Sequence, residues 1–152
     1  MTQMHVEAEG TTRATPQVAW SLSADANTYA KWGPWDASGY QEPGVDSERG
    51  VVAIQWFRIG RKTSVEQTLE IEEDRRFVYT VIQGIPVRNY RAEVTVTQTA
   101  QGTHIRWAAT WDKTLVGRIV QRKLRSFYPD MMAGLVAAAD REDTSTSTVT
   151  PT

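Results

Sequence analysis

The stretch that follows the last strand-like segment decides the fold. Residues 115–141 read LVGRIVQRKLRSFYPDMMAGLVAAADR, and at 100° per residue their apolar side chains fall on one stripe. The stripe consists of Val116, Val120, Leu124, Phe127, Met131, Leu135 and Ala138. This pattern predicts one long helix, Leu115 to Arg141, with Pro129 near its solvent-facing side, where a bend wraps the helix without breaking its contact. Because so long an apolar stripe must be covered, we expect a second layer beneath it.

A strand-rich stretch from about Gly50 to Asp112 precedes this helix and can supply that layer. Alternation of apolar and polar residues is typical of antiparallel strands with one buried face. The predicted strands are 51–59, 63–72, 77–83, 87–99 and 103–111. On the strand from Thr63 to Glu72, one face is formed by Val65, Gln67, Leu69 and Ile71. We interpret that face as the buried one.

The first fifty residues predict a strand, two short helices and an irregular strand with a loop. His5 to Thr12 alternates weakly, and Thr15-Pro16 joins a hydroxyl N-cap to a proline at the first helical position. Asp25 can cap a second short helix, which Gly33-Pro34 ends. The predicted order of elements is therefore β-α-α, six further strands and the closing helix, an α+β class.

Composition limits the classes of function. The chain has 152 residues, 40% of them hydrophobic, which predicts one globular domain over residues 1–143 and a disordered Ser/Thr-rich tail over 144–152. A net charge of −1 provides no basic field for nucleic acid. The absence of cysteine excludes disulfides and thiolate sites and fits a reducing cytosol. With no visible signal peptide and no apolar run of roughly 20 residues, we expect a cytoplasmic monomer or weak dimer without stable membrane insertion.

Several short groups of residues follow one another over about residues 3–141. They are Pro16-Gln17-Val18-Ala19-Trp20, Asp25 with Trp32, Glu66 with Glu70 before Arg76-Phe77-Val78-Tyr79, Gly84-Ile85-Pro86 with Tyr90, and Gly102-Thr103 with Trp107. In this order, with the closing helix, the chain resembles the START/Bet v 1-like superfamily, particularly its polyketide cyclase/dehydrase and lipid-transport branch. The resemblance implies a helix-grip fold, a curved antiparallel sheet of about seven strands wrapped around the C-terminal helix. It also implies binding of apolar or amphipathic small molecules between sheet and helix.

The resemblance and the alternation together predict which side chains face the space under the helix. The candidate ligand-binding residues are Val65, Gln67, Leu69, Tyr90, Val94, Trp107, Trp111, Leu124, Phe127 and Met131. Plain core packing is the alternative for many of them. Gln67 and Tyr90 are the polar side chains expected to point inward, where an unpaired group costs about 1–3 kcal/mol, so each needs a partner, a water or a ligand.

The usual catalytic motifs are missing from the sequence, which contains no G-x-S-x-G, P-loop, Rossmann or H-E-x-x-H pattern. The two histidines, His5 and His104, fall on the first and last predicted strands, which the resemblance would place side by side. His104 lies on the face opposite Trp107, so we expect surface roles, no metal site and no cofactor.

Three functions remain open from the sequence. The first is a module that binds an apolar or aromatic small molecule, lipid- or polyketide-like, in a cavity between sheet and helix. The second is a cyclase or aromatase, for which Tyr90 is the candidate catalytic residue and Arg58 a possible inward partner. The third is a protein-interaction module of the Hsp90-activator-like branch, which a large exposed apolar patch would favour.

Overall fold

The computed structural model describes residues 2–147, with side chains up to Thr144. The strands are β1 (Gln3–Thr12), β2 (Ala37–Glu42), β3 (Ile54–Ile59), β4 (Lys62–Glu72), β5 (Arg76–Gln83), β6 (Arg91–Thr99) and β7 (Gly102–Asp112). The helices are α1 (Pro16–Ser23), α2 (Tyr29–Trp32) and α3 (Leu115–Ser147), with a 3-10 turn at Ala26–Thr28. Within the described residues the strands form one antiparallel sheet in the order β1-β7-β6-β5-β4-β3-β2. This confirms the predicted α+β helix-grip architecture.

The two short helices begin where capping residues occur. The hydroxyl of Thr15 accepts a hydrogen bond from the backbone N–H of Val18, and Pro16 opens α1. Asp25 accepts from the backbone N–H of Asn27, but the turn it caps is 3-10, and α2 adds only four residues. Tyr29 and Trp32 of that segment are both buried, so α2 delivers aromatic rings to the interior.

The long helix α3 packs along β1 and crosses α1. Its buried side includes Val120, Met131, Leu135 and Ala138, as predicted, while Pro129 is exposed on the outer side. Val116 was predicted to be buried as part of the helical stripe, but it is 44% exposed. Its neighbours Leu115 and Ile119 are also exposed, so the first turn of α3 is not covered by the sheet. The helix continues to Ser147, so the first residues of the predicted disordered tail are helical, and residues 148–152 lie outside the described part of the chain.

The inward face of β4 was predicted wrongly. Glu66 and Thr68 face the interior, whereas Val65, Gln67 and Leu69 face the other side of the sheet, and Leu69 is 37% exposed. A β-bulge between Thr68 and Glu70 in the pairing with β5 is the physical reason. Because a bulge adds one residue to one strand, it reverses the alternation there, and Ile71 returns to the inner face.

Other differences concern strand ends and the histidines. The predicted strands 51–59 and 87–99 begin later, at Ile54 and Arg91. The strands β1 and β7 are neighbours, but His5 lies opposite Thr110 and His104 opposite Thr11, so the two histidines are at different ends of the ladder. Each histidine instead lies near a glutamate of β1. Arg58 is exposed and does not face inward.

The fit of α3 against α2 depends on a glycine. A Cβ atom at Gly134 would lie 2.3 Å from the carbonyl oxygen of Trp32. We expect Gly134→Ala to lower the free energy of unfolding by about 1–3 kcal/mol through overpacking, although alanine is the better helix former by about 1 kcal/mol. Urea denaturation measures the change. As a control, replacing the exposed Arg122 of the same helix (Arg122→Ala) should change the free energy of unfolding by less than about 0.5 kcal/mol. If Gly134→Ala were as stable as wild type, the close contact between Gly134 and the carbonyl oxygen of Trp32 would be refuted.

Candidate functional site

Two adjoining cavities lie on the inner face of the sheet. The helix-side cavity, about 260 Å³, lies between the sheet and the residues Leu124 to Met131 of α3. The loop-side cavity, about 400 Å³, lies between α1, the central strands and the loop of residues 43–53. Both are open to solvent. Their shared wall is formed by Tyr29, Phe57, Glu66 and Tyr79.

Aromatic residues make up nearly half of the lining of the helix-side cavity. Tyr29 contacts Phe57 and Trp35 with ring centroids 4.9 and 5.0 Å apart. Trp35 then contacts Phe127 of α3 at 5.6 Å. The remaining aromatic lining residues are Tyr79, Tyr90, Trp107 and Tyr128. The cavity therefore presents a continuous aromatic wall that runs from α2 across to α3, a surface suited to a flat or aliphatic ligand.

The structure brings some of the predicted candidate residues together and separates others. Tyr90, Trp107, Leu124, Phe127 and Met131 line the helix-side cavity. Val94 and Trp111 are completely buried and line neither cavity. Val65, Gln67 and Leu69 also line neither, because they lie on the far side of β4. Whether the lining residues contact a ligand stays a prediction.

Trp111 supports Tyr90 from behind. The two rings stack with centroids 5.8 Å apart and an interplanar angle of 19°. The indole Nε1 of Trp111 donates to the carbonyl oxygen of Gly117, 3.1 Å away, at the start of α3. Trp111 thus fixes both the Tyr90 ring and the first turn of the helix whose later residues, Leu124 to Met131, cover the cavity.

Buried phenols form a hydrogen-bonded group at the floor of the helix-side cavity. The hydroxyls of Tyr90 and Tyr128 lie 2.5 Å apart, and the indole Nε1 of Trp107 donates to the hydroxyl of Tyr79 at 2.9 Å. Burial raises the pKa of Tyr79, Tyr90 and Tyr128 well above the ordinary value, so these phenols stay neutral and remain donors. Tyr128 was not among the residues predicted from the sequence, although its position four residues after Leu124 places it beside the apolar stripe.

Glu66 was quoted in the family resemblance but was not among the candidate site residues. It lines both cavities, and its side chain has no hydrogen-bond or salt-bridge partner among the described residues. Burial raises its pKa from 4.5 to about 8. The alternation on β4 places Glu66 with the polar, outward residues, so the local sequence gives no signal for its inward position.

The polar side chains next to Glu66 on the sheet, Gln55 and Thr68, form hydrogen bonds that do not involve the Glu66 carboxyl group. With its amide oriented to satisfy every neighbour, Gln55 donates to the carbonyl oxygens of Ala53 and Glu66, each at 2.9 Å. In that orientation the amide oxygen accepts from the hydroxyl of Thr68 at 2.7 Å. The Gln55 side chain thus contacts only the main chain of Glu66, and the carboxyl group remains turned to the open space.

Metal-binding clusters and membrane-spanning helices were two further features to look for in the described residues. Among residues 2–147, no group of three or more histidines and carboxylates lies close enough to hold a metal ion. None of the helices described there combines the length and apolar character that a bilayer crossing requires.

The raised pKa of Glu66 predicts a pH dependence of stability. The folded chain keeps this proton up to a pH of about 8, whereas the unfolded chain loses it near 4.5. The free energy of unfolding should therefore fall as the pH rises through that window, because folding there requires proton uptake. At pH 8 we expect Glu66→Gln to be more stable than wild type by roughly 2–4 kcal/mol, and by much less at pH 5.

Urea denaturation at the two pH values measures this difference. The exposed Glu48→Gln serves as the matched control and should follow wild type at both. An advantage of Glu66→Gln that is equal at pH 5 and pH 8 would contradict the assigned burial of the carboxyl group.

Comparison with solved structures supports the fold described above. A protein of Nitrosospira multiformis is 15% identical with a TM-score of 0.75, covering 93% of this chain and 99% of its own. A crystal structure from Mesorhizobium loti is 17% identical with a TM-score of 0.73, covering 91% and 98%. A solution structure from Thermobifida fusca is 25% identical with a TM-score of 0.67, covering 93% of each chain. At these identities the likeness speaks for the fold alone.

The sequence comparison identifies the family. No curated protein is significantly similar to the chain. A family model described as polyketide cyclase / dehydrase and lipid transport matches residues 3–140, nearly the whole length. With the helix-grip sheet, the covering helix and the hollow between them, the chain belongs to the polyketide cyclase/dehydrase and lipid-transport family.

Proposed function

We propose that this protein binds an apolar or aromatic small molecule, lipid- or polyketide-like, between the sheet and α3. The observation that carries the proposal is the aromatic-walled hollow under α3, which adjoins a second cavity across Tyr29, Phe57, Glu66 and Tyr79. Ligand pockets usually enclose about 300–1,000 Å³. The helix-side cavity of about 260 Å³ is slightly smaller, so a ligand of ordinary size extends into the loop-side cavity.

Family membership also supports binding of a small molecule, although the family description does not specify which one. The family description names lipid transport beside cyclase and dehydrase chemistry, and both require a molecule to enter the interior. The loop-side cavity has a lining of mixed polar and apolar side chains. The lining of the helix-side cavity is mainly apolar, and its polar groups include Glu66 and the phenols of Tyr79, Tyr90 and Tyr128. Few polar groups on an apolar wall are typical of sites that fix the orientation of a largely apolar ligand.

Blocking the cavity tests the proposal. N-phenyl-1-naphthylamine, whose fluorescence rises in apolar surroundings, serves as the probe. We expect Ser64→Phe to weaken its binding by about tenfold or more, because Ser64 lines the helix-side cavity. Val65→Phe, one residue along and on the other side of the sheet, should leave binding within about twofold of wild type.

The two variants also distinguish the faces of β4. Equal binding by wild type and Ser64→Phe would place the probe elsewhere and reject the cavity as the site. If only Val65→Phe lost probe binding, the binding site would lie on the face of β4 that the sequence alternation predicted.

A specific observation favours a second candidate, a cyclase or aromatase acting on a poly-β-keto chain. The carboxyl group of Glu66 has a pKa of about 8, near the working pH that suits a general base. As a carboxylate it would remove a proton from carbon between two carbonyl groups. The resulting enolate would attack a further carbonyl carbon and close the ring. The new alkoxide would take up the proton held by Glu66, and loss of water would then make the ring aromatic. The neutral phenols nearby would donate to the carbonyl oxygens.

A trioxo thioester surrogate tests this candidate through the absorbance of its aromatic product. If Glu66 is the base, Glu66→Gln should slow ring closure by about 10²-fold, and the wild-type rate should rise with pH through about 8. Glu73→Gln at the rim of the loop-side cavity should retain activity. Ring closure by wild type no faster than in buffer would reject the enzyme and leave the binding function standing.

A further inference from the structure

Glu66 is an unusual group to find in an aromatic cavity because no cationic side chain of the described residues pairs with it. Burial is the cause of its raised pKa, and no cation contributes to offset it. The cations nearest to the two cavities are at their rims: Lys62 is exposed, and Arg49 lies 3.8 Å from Asp25. Ionising a carboxyl group in surroundings of low dielectric is costly, so the empty protein keeps Glu66 protonated at neutral pH, and a cationic ligand would offset the cost of its ionisation.

The other groups that face Glu66 do not substitute for a cation. They are the phenols of Tyr29, Tyr79, Tyr90 and Tyr128, all buried and all with raised pKa values. Tyr29 donates its proton to the carbonyl oxygen of Ser23, and Tyr90 is paired with Tyr128. Glu73 at the loop-side rim is a further carboxyl group and not a cation. The interior therefore offers electron-rich ring faces and, at Glu66, a carboxyl group that can ionise when a cation pairs with it.

Aromatic faces attract cations through the ring quadrupole, by about 0.5–2 kcal/mol for each well-placed contact. The wall around Glu66 includes Tyr29, Phe57 and Tyr79, and Trp35 and Trp107 lie in ring contact with Tyr29. A ligand that has only carbonyl or hydroxyl acceptors would need donors, which the phenols already supply. Among the described residues that line both cavities, Glu66 is the one whose ionised form specifically requires a positive partner.

We propose that Glu66 and the surrounding rings select ligands that carry a protonated amine on an apolar or aromatic body. This inference rests on the proposed binding function and narrows the class of its ligand. The apolar body lies against the aromatic wall, and the ammonium group reaches the Glu66 carboxylate where the two cavities meet. Binding allows Glu66 to ionise, so at neutral pH the complex releases the proton that the empty cavity holds.

A pair of isosteric probes tests the selection: 2-(2-naphthyl)ethylamine and 2-(2-naphthyl)ethanol. Calorimetry at pH 7 should give an affinity for the amine at least about tenfold above that for the alcohol. Glu66→Gln should abolish the preference while binding the alcohol within about threefold of wild type. Titrations in buffers of different ionisation enthalpy should detect proton release on binding of the amine with wild type and none with Glu66→Gln.

Two further variants complete the design. Glu73→Gln, which removes a carboxyl group from the rim, should keep the preference for the amine. Glu66→Asp keeps the charge on a shorter side chain and should retain the preference at lower affinity, with folding checked by urea denaturation.

The outcomes separate this inference from the broader proposal. If wild type binds both probes equally, or Glu66→Gln keeps the preference, the amine selection is wrong and the binding function stands. If wild type binds neither naphthyl probe nor N-phenyl-1-naphthylamine, both proposals fail.

Discussion

The hollow exists because α3 approaches the rest of the molecule closely at one end and is held away at the other. In its second half, Gly134 admits the carbonyl oxygen of Trp32, and Met132 and Val136 pack against Gly10 of β1. In its first half the side chains turned inward are large, among them Leu124, Phe127 and Tyr128. Small residues permit contact between backbones, whereas large rings meet at their edges and leave space between them. The position of α3 therefore determines both the core and the cavity.

The interior carries a residue that works against stability. A carboxyl group whose pKa rises on folding lowers the stability of the protein over the pH range in which the unfolded chain would ionise. Groups with strongly shifted pKa values are concentrated in functional sites. Here the shift coincides with a cavity, an aromatic wall and the absence of a side-chain partner among the described residues. That coincidence gives Glu66 more functional weight than the pKa alone would.

The aromatic residues predicted to line the cavity have two different roles: some line it and one supports the lining from behind. Tyr90 and Trp107 form the floor of the helix-side cavity, but Trp111 supports Tyr90 from the core without reaching the open space. Trp107 and Trp111 lie on the same face of β7. Only Trp107 lines the cavity, because Trp111 is fully buried behind the Tyr90 ring. Alternation identifies the face of a strand, but it does not distinguish a residue that lines a cavity from one that packs behind it.

By itself the sequence determined the class of fold, the long covering helix and the inward face of β7, because these depend on periodicity sustained over many residues. Tyr128 was also within reach, since helical spacing from Leu124 places it beside the stripe. The tertiary structure alone decided the face of β4, because the bulge between Thr68 and Glu70 arises in the pairing with β5 and leaves no mark in the local pattern. It thereby decided the site, since that one-residue change of phase turns Glu66 inward and Val65, Gln67 and Leu69 away.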